Sequence, residues 1–177
     1  MKPCTFMGMA TLVAQESSCL KYQVGAVIVK NDRVLSTGYN GTPSGAPKCG
    51  CEGQRLGFAK SNGAGGYVLT NRQAHTKWSL ENEIHAEQNA VCYAARAGLS
   101  TEGADIYVTL SPCVNCAKII VAAGIRRVFV KDVHPSVGPN WRKWLLSHDI
   151  EVFVNDPEDR SRWWDSDEYF YRCQTKA

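Results

Sequence analysis

Two short segments of this 177-residue chain carry residue types that do chemistry together: His85-Ala86-Glu87, and Pro112-Cys113-Val114-Asn115-Cys116. His85, Cys113 and Cys116 offer a zinc ion three protein ligands and leave a fourth position for water, the arrangement of a catalytic rather than a structural zinc site. Glu87 remains as a carboxylate beside that water. A metal of this kind acidifies water. Glu87 then takes the proton and passes it to a ring nitrogen and a leaving amine. The chemistry is hydrolytic attack on an amidine-like carbon, such as C4 of a cytosine, through a tetrahedral intermediate, with release of ammonia. A C-x-x-C pair alone also builds structural zinc corners. Here both halves occur in order, Pro112 directly precedes Cys113, and a closed structural site has no use for Glu87.

The elements that must position these residues are legible as hydrophobic patterns. Residues 4–20 suggest a helix. Val24–Val29 and Arg33–Tyr39, separated by Asn31-Asp32, read as a hairpin. Residues 40–75 are rich in Gly, Pro and polar groups, too long for a structureless stretch inside a compact domain without a special reason. Asn82 to Gly98 reads as a helix stopped by the glycine. Ile106–Leu110 is a strand, Cys113–Ala123 a helix ended by Gly124, and Arg127–Val130 a strand. Residues 140–148 suggest a short helix, and Val152–Val154 a last strand. Helices alternating with the later strands imply parallel pairing there and a three-layer α/β/α sandwich, with a mixed five-stranded central sheet. Both motifs then open helices, whose N-terminal dipole ends favour thiolates at Cys113 and Cys116.

Bulk composition bounds the answer. The length fits a single domain over 1–177. With 44% hydrophobic and 21% charged residues, wholesale disorder is excluded. A formal net charge of +3 permits an anionic small molecule and argues against a nucleic-acid-coating surface. The start lacks a secretory pattern, and no apolar run approaches the roughly 20 residues that span a bilayer. The expectation is a cytoplasmic protein with no membrane partner, its eight cysteines serving as ligands or buried thiols rather than disulfides. No internal repeat is visible.

These motifs, together with Gln23–Ile28, the run Gly38-Tyr39-Asn40-Gly41-Thr42-Pro43-Ser44-Gly45, Asn82–Ala90 and Tyr107–Cys113, resemble the cytidine/deoxycytidylate deaminase family, and within it the phage-type deoxycytidylate deaminases. The likeness covers roughly residues 10–154. It implies the cytidine deaminase-like fold and zinc-dependent deamination of dCMP to dUMP, which would supply thymidylate synthesis, in the host cytoplasm if phage-encoded. It also implies activation by dCTP with Mg²⁺, inhibition by dTTP, and a homohexamer. By the same likeness Gln23, Val24, Asn40, Ala86, Ser111, Pro112 and His134 line the substrate, and Gly38, Tyr39, Gly41 and Arg96 belong to an effector site. The 38–45 run also has two readings of its own: a backbone free to approach phosphate, or an ordinary turn after a strand. Arg96 is either an effector contact or a solvated residue at a helix end. His134 stands where the resemblance implies tyrosine, and an imidazole there either stacks, hydrogen-bonds or faces solvent.

The resemblance further implies a second, structural zinc held by Cys19, Cys49, His75 and Glu83, with Cys51 as an alternative ligand. Such a site would anchor a loop insertion at about 41–80, which lacks apolar residues enough to hold itself. Cys4, Cys92 and Cys173 carry no role, and the aromatic tail from about 156 reads as packing or a subunit contact. Two other activities use the same metal chemistry: a nucleic-acid base-editing deaminase acting on a flipped base, and a free cytidine deaminase without phosphate recognition.

Overall fold

A computed structural model describes residues 2–155. The tail from 156 and Cys173 lie outside them. The elements, in chain order, are α1 (Pro3–Ala14), β1 (Gly25–Lys30), β2 (Arg33–Tyr39), α2 (Cys49–Leu56), β3 (Ala59–Ser61), β4 (Tyr67–Leu69), α3 (Arg72–Asn82), α4 (Ala86–Arg96), β5 (Asp105–Leu110), α5 (Val114–Ala122), β6 (Arg127–Asp132), α6 (Asn140–Leu146) and β7 (Glu151–Val154). Five strands form one mixed sheet in the order β2-β1-β5-β6-β7. β1 runs antiparallel to both β2 and β5, whereas β5, β6 and β7 are parallel. The α/β/α expectation holds.

The central strands are apolar on both sides because both faces of the sheet are covered. Ala26, Ile28, Ile106, Val108, Val128, Val130 and Val152 pack beneath α4, α5 and α6, which contribute Ala86, Ala90, Ala117, Ile120, Trp141 and Leu145. On the other face Phe6, Met7 and Ala10 of α1 meet Val27, Val29, Tyr107, Phe129 and Phe153. The last three residues are in register across β5, β6 and β7. Their rings stack at centroid distances of 4.4 and 4.8 Å, a ladder that parallel in-register pairing makes possible.

Asn31 and Asp32 take φ of 51° and 57°, the left-handed pair that a two-residue type I′ hairpin turn needs. Gly38 answers a different demand. A Cβ there would lie 2.3 Å from the Ala86 carbonyl oxygen and 2.4 Å from the Ala90 nitrogen. Only glycine lets β2 lie this close to α4.

Three expectations are corrected. The first helix ends at Ala14, not near residue 20; residues 15–24 form a connection pinned by the Ser17 hydroxyl, which donates to the Asn40 carbonyl at 2.8 Å. The helix expected over 82–98 starts later, and a separate helix that was not expected ends where it should have begun. Asn82 ends α3, and α4 begins only at Ala86, with Glu83 and His85 extended between them. The stretch at 40–75 is not structureless. It holds α2, the β3–β4 hairpin and the start of α3, and Asn71 caps α3 by accepting the Ala74 N–H at 3.0 Å. These elements share a small core of Cys49, Phe58 and Ala59, packed by Leu20, Leu69, Ala74 and Trp78. The helix α2 escapes sequence reading because its buried face is Cys49, Gly50 and Gly53, small residues with no apolar periodicity.

The substitution Gly38→Ala is expected to destabilise the protein by about 1–3 kcal/mol, the usual penalty for overpacking a rigid contact. Gly8→Ala, in α1 with nothing within 4 Å of its Cβ position, is expected to be neutral or stabilising by up to about 1 kcal/mol. Urea unfolding midpoints of the two variants check both.

Candidate active site

The chemistry-bearing side chains converge because two helices begin at one place. After β5 the chain turns through buried Ser111 and Pro112 and enters α5 with Cys113 at its N-cap. The Cys113 sulfur accepts the Cys116 N–H at 3.4 Å. His85 caps α4, and its own N–H donates to Gln88 Oε1 at 2.9 Å. His85 Nδ1 lies 3.7 Å from Cys113 Sγ and 3.3 Å from Cys116 Sγ. All three ligand atoms lie within 4.8 Å of one another.

The electrostatics match a cation. The Cys116 thiol donates to Cys113 and, with the His85 imidazole and the Cys116 N–H, holds Cys113 as a thiolate at about 3. The same shared proton and burial push Cys116 up. The hydrogen bond to Cys113 raises His85. A divalent cation among two sulfurs and an imidazole takes the place of that shared proton, so the donor set fits Zn²⁺. Glu87, only 3% exposed in the first turn of α4, has its carboxyl pushed above the usual range by burial. A buried carboxyl raised in this way is a competent proton carrier.

A second cluster brings together Cys19, Cys49, His75 and Glu83, their ligand atoms also within 4.8 Å of one another. Two buried polar atoms there, His75 Nδ1 and Glu83 Oε1, have no hydrogen-bond partner, a rare condition in a folded interior. Glu83 Oε2 accepts the Ser79 hydroxyl at 2.6 Å. Burial pushes His75 below its ordinary value, which keeps its ring neutral and fit to ligate. Cys51 is exposed on α2, its sulfur 3.6 Å from the Tyr67 hydroxyl, and is not in this cluster.

Both clusters border one cavity of about 200 Å³, because Glu83 and His85 flank Ile84 in an extended segment and so share a side. Gly41, with φ of 152°, clasps that segment through reciprocal backbone bonds to Ile84 of 3.1 and 2.9 Å. Of the residues named from sequence, Val24, Asn40, Ala86, Glu87, Ser111 and His134 line the cavity. Asn40 also holds the entry to β1: its Oδ1 accepts the Val24 N–H at 2.8 Å and its Nδ2 donates to the Tyr22 carbonyl at 2.9 Å. Gln23 borders a separate hollow beside α1, and Pro112 is buried in the turn. The effector candidates lie outside the cavity. Gly38 is packed on α4, Tyr39 is exposed on β2, and Arg96 is exposed with its guanidinium 5.4 Å from the Tyr93 ring centroid.

Sequence reading missed Lys21, Tyr22 and Thr76, which also line the cavity. Lys21 Nζ donates to Thr76 Oγ1 at 2.9 Å, and no carboxylate among the described residues pairs with it. The one available signal was its position two residues after the candidate ligand Cys19.

The sequence model described as the cytidine and deoxycytidylate deaminase zinc-binding region matches residues 1–132. The chain belongs to the cytidine and deoxycytidylate deaminase family. The deoxycytidylate deaminase of Enterobacteria phage T2 is 44% identical over 172 residues, covering 86% of this chain and 92% of that protein. That of Mycobacterium phage D29 is 43% identical over 123 residues, 70% of this chain and 88% of its own length. Among solved structures, the dCMP deaminase of cyanophage S-TIM5, crystallised with dCMP and dUMP, is 30% identical and covers 87% of this chain and 98% of its own, with a TM-score of 0.66. The central sheet and its helices are therefore those of the deaminase family, and no helix among the described residues is long and apolar enough to cross a membrane.

Replacing a thiolate ligand removes the family's metal, whereas replacing the proton carrier does not. Cys113→Ala is expected to lose about one zinc per chain relative to the parent, and Glu87→Gln none. Elemental analysis of the dialysed proteins distinguishes the two; equal zinc in parent and Cys113→Ala contradicts the ligand assignment.

Proposed function

We propose that this protein hydrolyses dCMP to dUMP and ammonia. The observation that carries the reading is a buried, raised Glu87 beside a zinc-fitting His85/Cys113/Cys116 triad, in a cavity also lined by Lys21, with which no carboxylate among the described residues pairs. Zinc at the triad supplies the Lewis acidity that makes water nucleophilic near neutral pH. The protein residues do the rest. Glu87 accepts the proton of the attacking water and delivers it to the pyrimidine N3 as the C4–O bond forms. Glu87 then takes the remaining proton from the new C4 hydroxyl and hands it to the C4 amine, and the C4–N bond breaks to release ammonia as the C4 carbonyl of dUMP forms. Burial of Glu87 keeps its proton affinity high enough for both transfers.

Lys21 recognises the phosphate that the substrate carries. With no carboxylate among the described residues to neutralise it, and a hydroxyl partner in Thr76, it can pair with a 5′-monoester in the cavity. The deoxycytidylate deaminases of phages T2 and D29, and the S-TIM5 enzyme with dCMP and dUMP, support the same substrate. A free nucleoside has no phosphate to set against Lys21.

Several finer features belong to the same proposal. Cys19, Cys49, His75 and Glu83 hold a second zinc, supported by the two orphaned buried atoms among them; it anchors the segment at about 41–80 to the chain just before β1 within a single domain. Gln23 and Pro112 act on the substrate only through the backbone they fix. Gly38, Tyr39, Gly41 and Arg96 belong to a site for dCTP with Mg²⁺, which activates, and dTTP, which inhibits. The assembly is a homohexamer of a phage-type enzyme working in the cytoplasm to supply dUMP for thymidylate synthesis. Zinc analysis giving one ion per chain overturns the second site, and initial rates unchanged by dCTP and dTTP overturn the regulation.

The central test is ammonia release from dCMP, deoxycytidine and a cytosine-bearing single-stranded DNA. Turnover is expected on dCMP first, and a higher kcat/KM on deoxycytidine overturns the assignment. Glu87→Gln is expected to lower kcat by at least about 10²–10⁴-fold, the usual contribution of one general acid–base. Lys21→Met is expected to lower kcat/KM for dCMP by about ten- to hundredfold, the effect of losing one charge-assisted pair, and to leave deoxycytidine nearly unaffected.

A further inference from the structure

His134 lines the same cavity as Lys21 and Glu87 and is held in one orientation. Its backbone N–H donates to the Ser111 hydroxyl at 2.9 Å, just before the Pro112-Cys113 turn. Its ring Nδ1 accepts the Ser136 N–H at 3.0 Å. A backbone N–H only donates, so the neutral ring carries its proton on Nε2, and Nε2 is the atom left for a ligand. The ring stands edge-on to Tyr22, centroids 4.7 Å apart. On that same Tyr22 ring lies Lys21 Nζ, 5.5 Å from the centroid. Tyr22 is thus a common platform for two nitrogen donors, one permanently charged and one titratable.

From this we infer that His134 is a second donor to the substrate's 5′-phosphate, acting with Lys21, and that its imidazole makes the preference for phosphorylated over unphosphorylated substrate depend on pH. The inference rests on the proposed dCMP activity and adds a role for Nε2 to it. The charged and titratable groups that line this cavity are Cys19, Lys21 and Tyr22 before β1, His75 in α3 and Glu83 at its C-cap, His85 and Glu87 at the start of α4, and Cys113 at α5. Lys131 and Asp132, at the end of β6, border the other hollow instead. Among these, Lys21 is the charge that acts on His134: burial first, and then the Lys21 ammonium, hold the imidazole below its ordinary value. In the free protein near neutral pH the ring is therefore mostly neutral and donates through Nε2–H alone.

A phosphate dianion reverses the local field. It neutralises Lys21 and favours imidazolium, so binding draws a proton onto His134 Nδ1, which gives up the bond it accepts from the Ser136 N–H as it does so. The sign follows: the affinity gained from the phosphate grows as pH falls from 8 toward 6.5. Below about pH 6 the gain stops, because the monoester takes up its own second proton.

The experiment compares kcat/KM for dCMP and for deoxycytidine between pH 5.5 and 8.5, which cancels the titration of the catalytic groups common to both. The ratio is expected to rise as pH falls, by at most about tenfold per pH unit, the limit for one linked proton. His134→Gln keeps an N–H donor without a titratable ring; it is expected to retain most of the dCMP preference at pH 8 and to flatten the ratio. As a readout independent of turnover, calorimetry of dUMP binding in two buffers of different ionisation enthalpy is expected to show proton uptake at pH 7, absent with deoxyuridine and absent in His134→Gln. Robust dCMP turnover with a flat ratio, or the same slope and uptake in His134→Gln, overturns the role of His134 and leaves the dCMP reading standing. Absence of turnover on dCMP, with activity on deoxycytidine, overturns both.

Discussion

Two backbone hydrogen bonds between Gly41 and Ile84 are the constraint on which the site depends. They hold residues 83–85 extended between α3 and α4, so that the chain stops one helix and starts another within three residues. An extended residue pair two apart faces one way, and this is why Glu83 joins one ligand cluster, His85 joins the other, and both border a single cavity. Had one helix run through from Arg72 to Arg96, as helical periodicity alone suggests for its second half, His85 would not be an N-cap and would not meet the N-terminus of α5.

The rest of the fold serves that clasp. Gly41 follows β2, and β2 can approach α4 only because Gly38 has no side chain. The Asn40 side chain ties the same loop to Tyr22 and Val24 at the start of β1, and the Asn40 carbonyl takes the Ser17 hydroxyl. The 15–24 connection, which carries Cys19, Lys21 and Tyr22, is thereby fixed against the loop that fixes His85. Sheet and helices set the distance between the ligands, and a polar network in the loops sets the wall opposite them.

The electrostatics divide along the same lines. At the α5 N-terminus the Cys113 thiolate gains from the Cys116 thiol and N–H and from the helix dipole, while in the first turn of α4 burial raises Glu87. Two acidic groups that border one cavity are thus pushed in opposite directions. Lys21 adds a positive charge to the same cavity, and no carboxylate among the described residues pairs with it. On the proposed reading, metal ligation, proton transfer and anion recognition fall to different parts of the chain: the N-caps of α4 and α5, the first turn of α4, and the connection before β1.

Much of this was legible before any coordinates. The alternation of strands and helices implied the layered sheet, and β1, β5 and β6 read as apolar runs because they are covered on both faces. His85, Glu87, Cys113 and Cys116 stood out because metal ligation needs particular residue types at short spacings. The small α2–β3–β4–α3 unit did not stand out, since its core is one phenylalanine, a cysteine and an alanine, with glycines on the buried face of α2. Nor did the break before α4, which is imposed by the Gly41 pairing from 43 positions away in the chain. The sequence by itself determined the donor atoms, the proton carrier and the layer order, because each depends on residue identity and local period. The grouping of Cys19, Cys49, His75 and Glu83 was implied by the family resemblance and not by their spacing, and only the tertiary structure decided that Gln23 borders a separate hollow and that Lys21 and His134 share the Tyr22 ring. Those are long-range contacts, and no local spacing encodes which distant segments will meet.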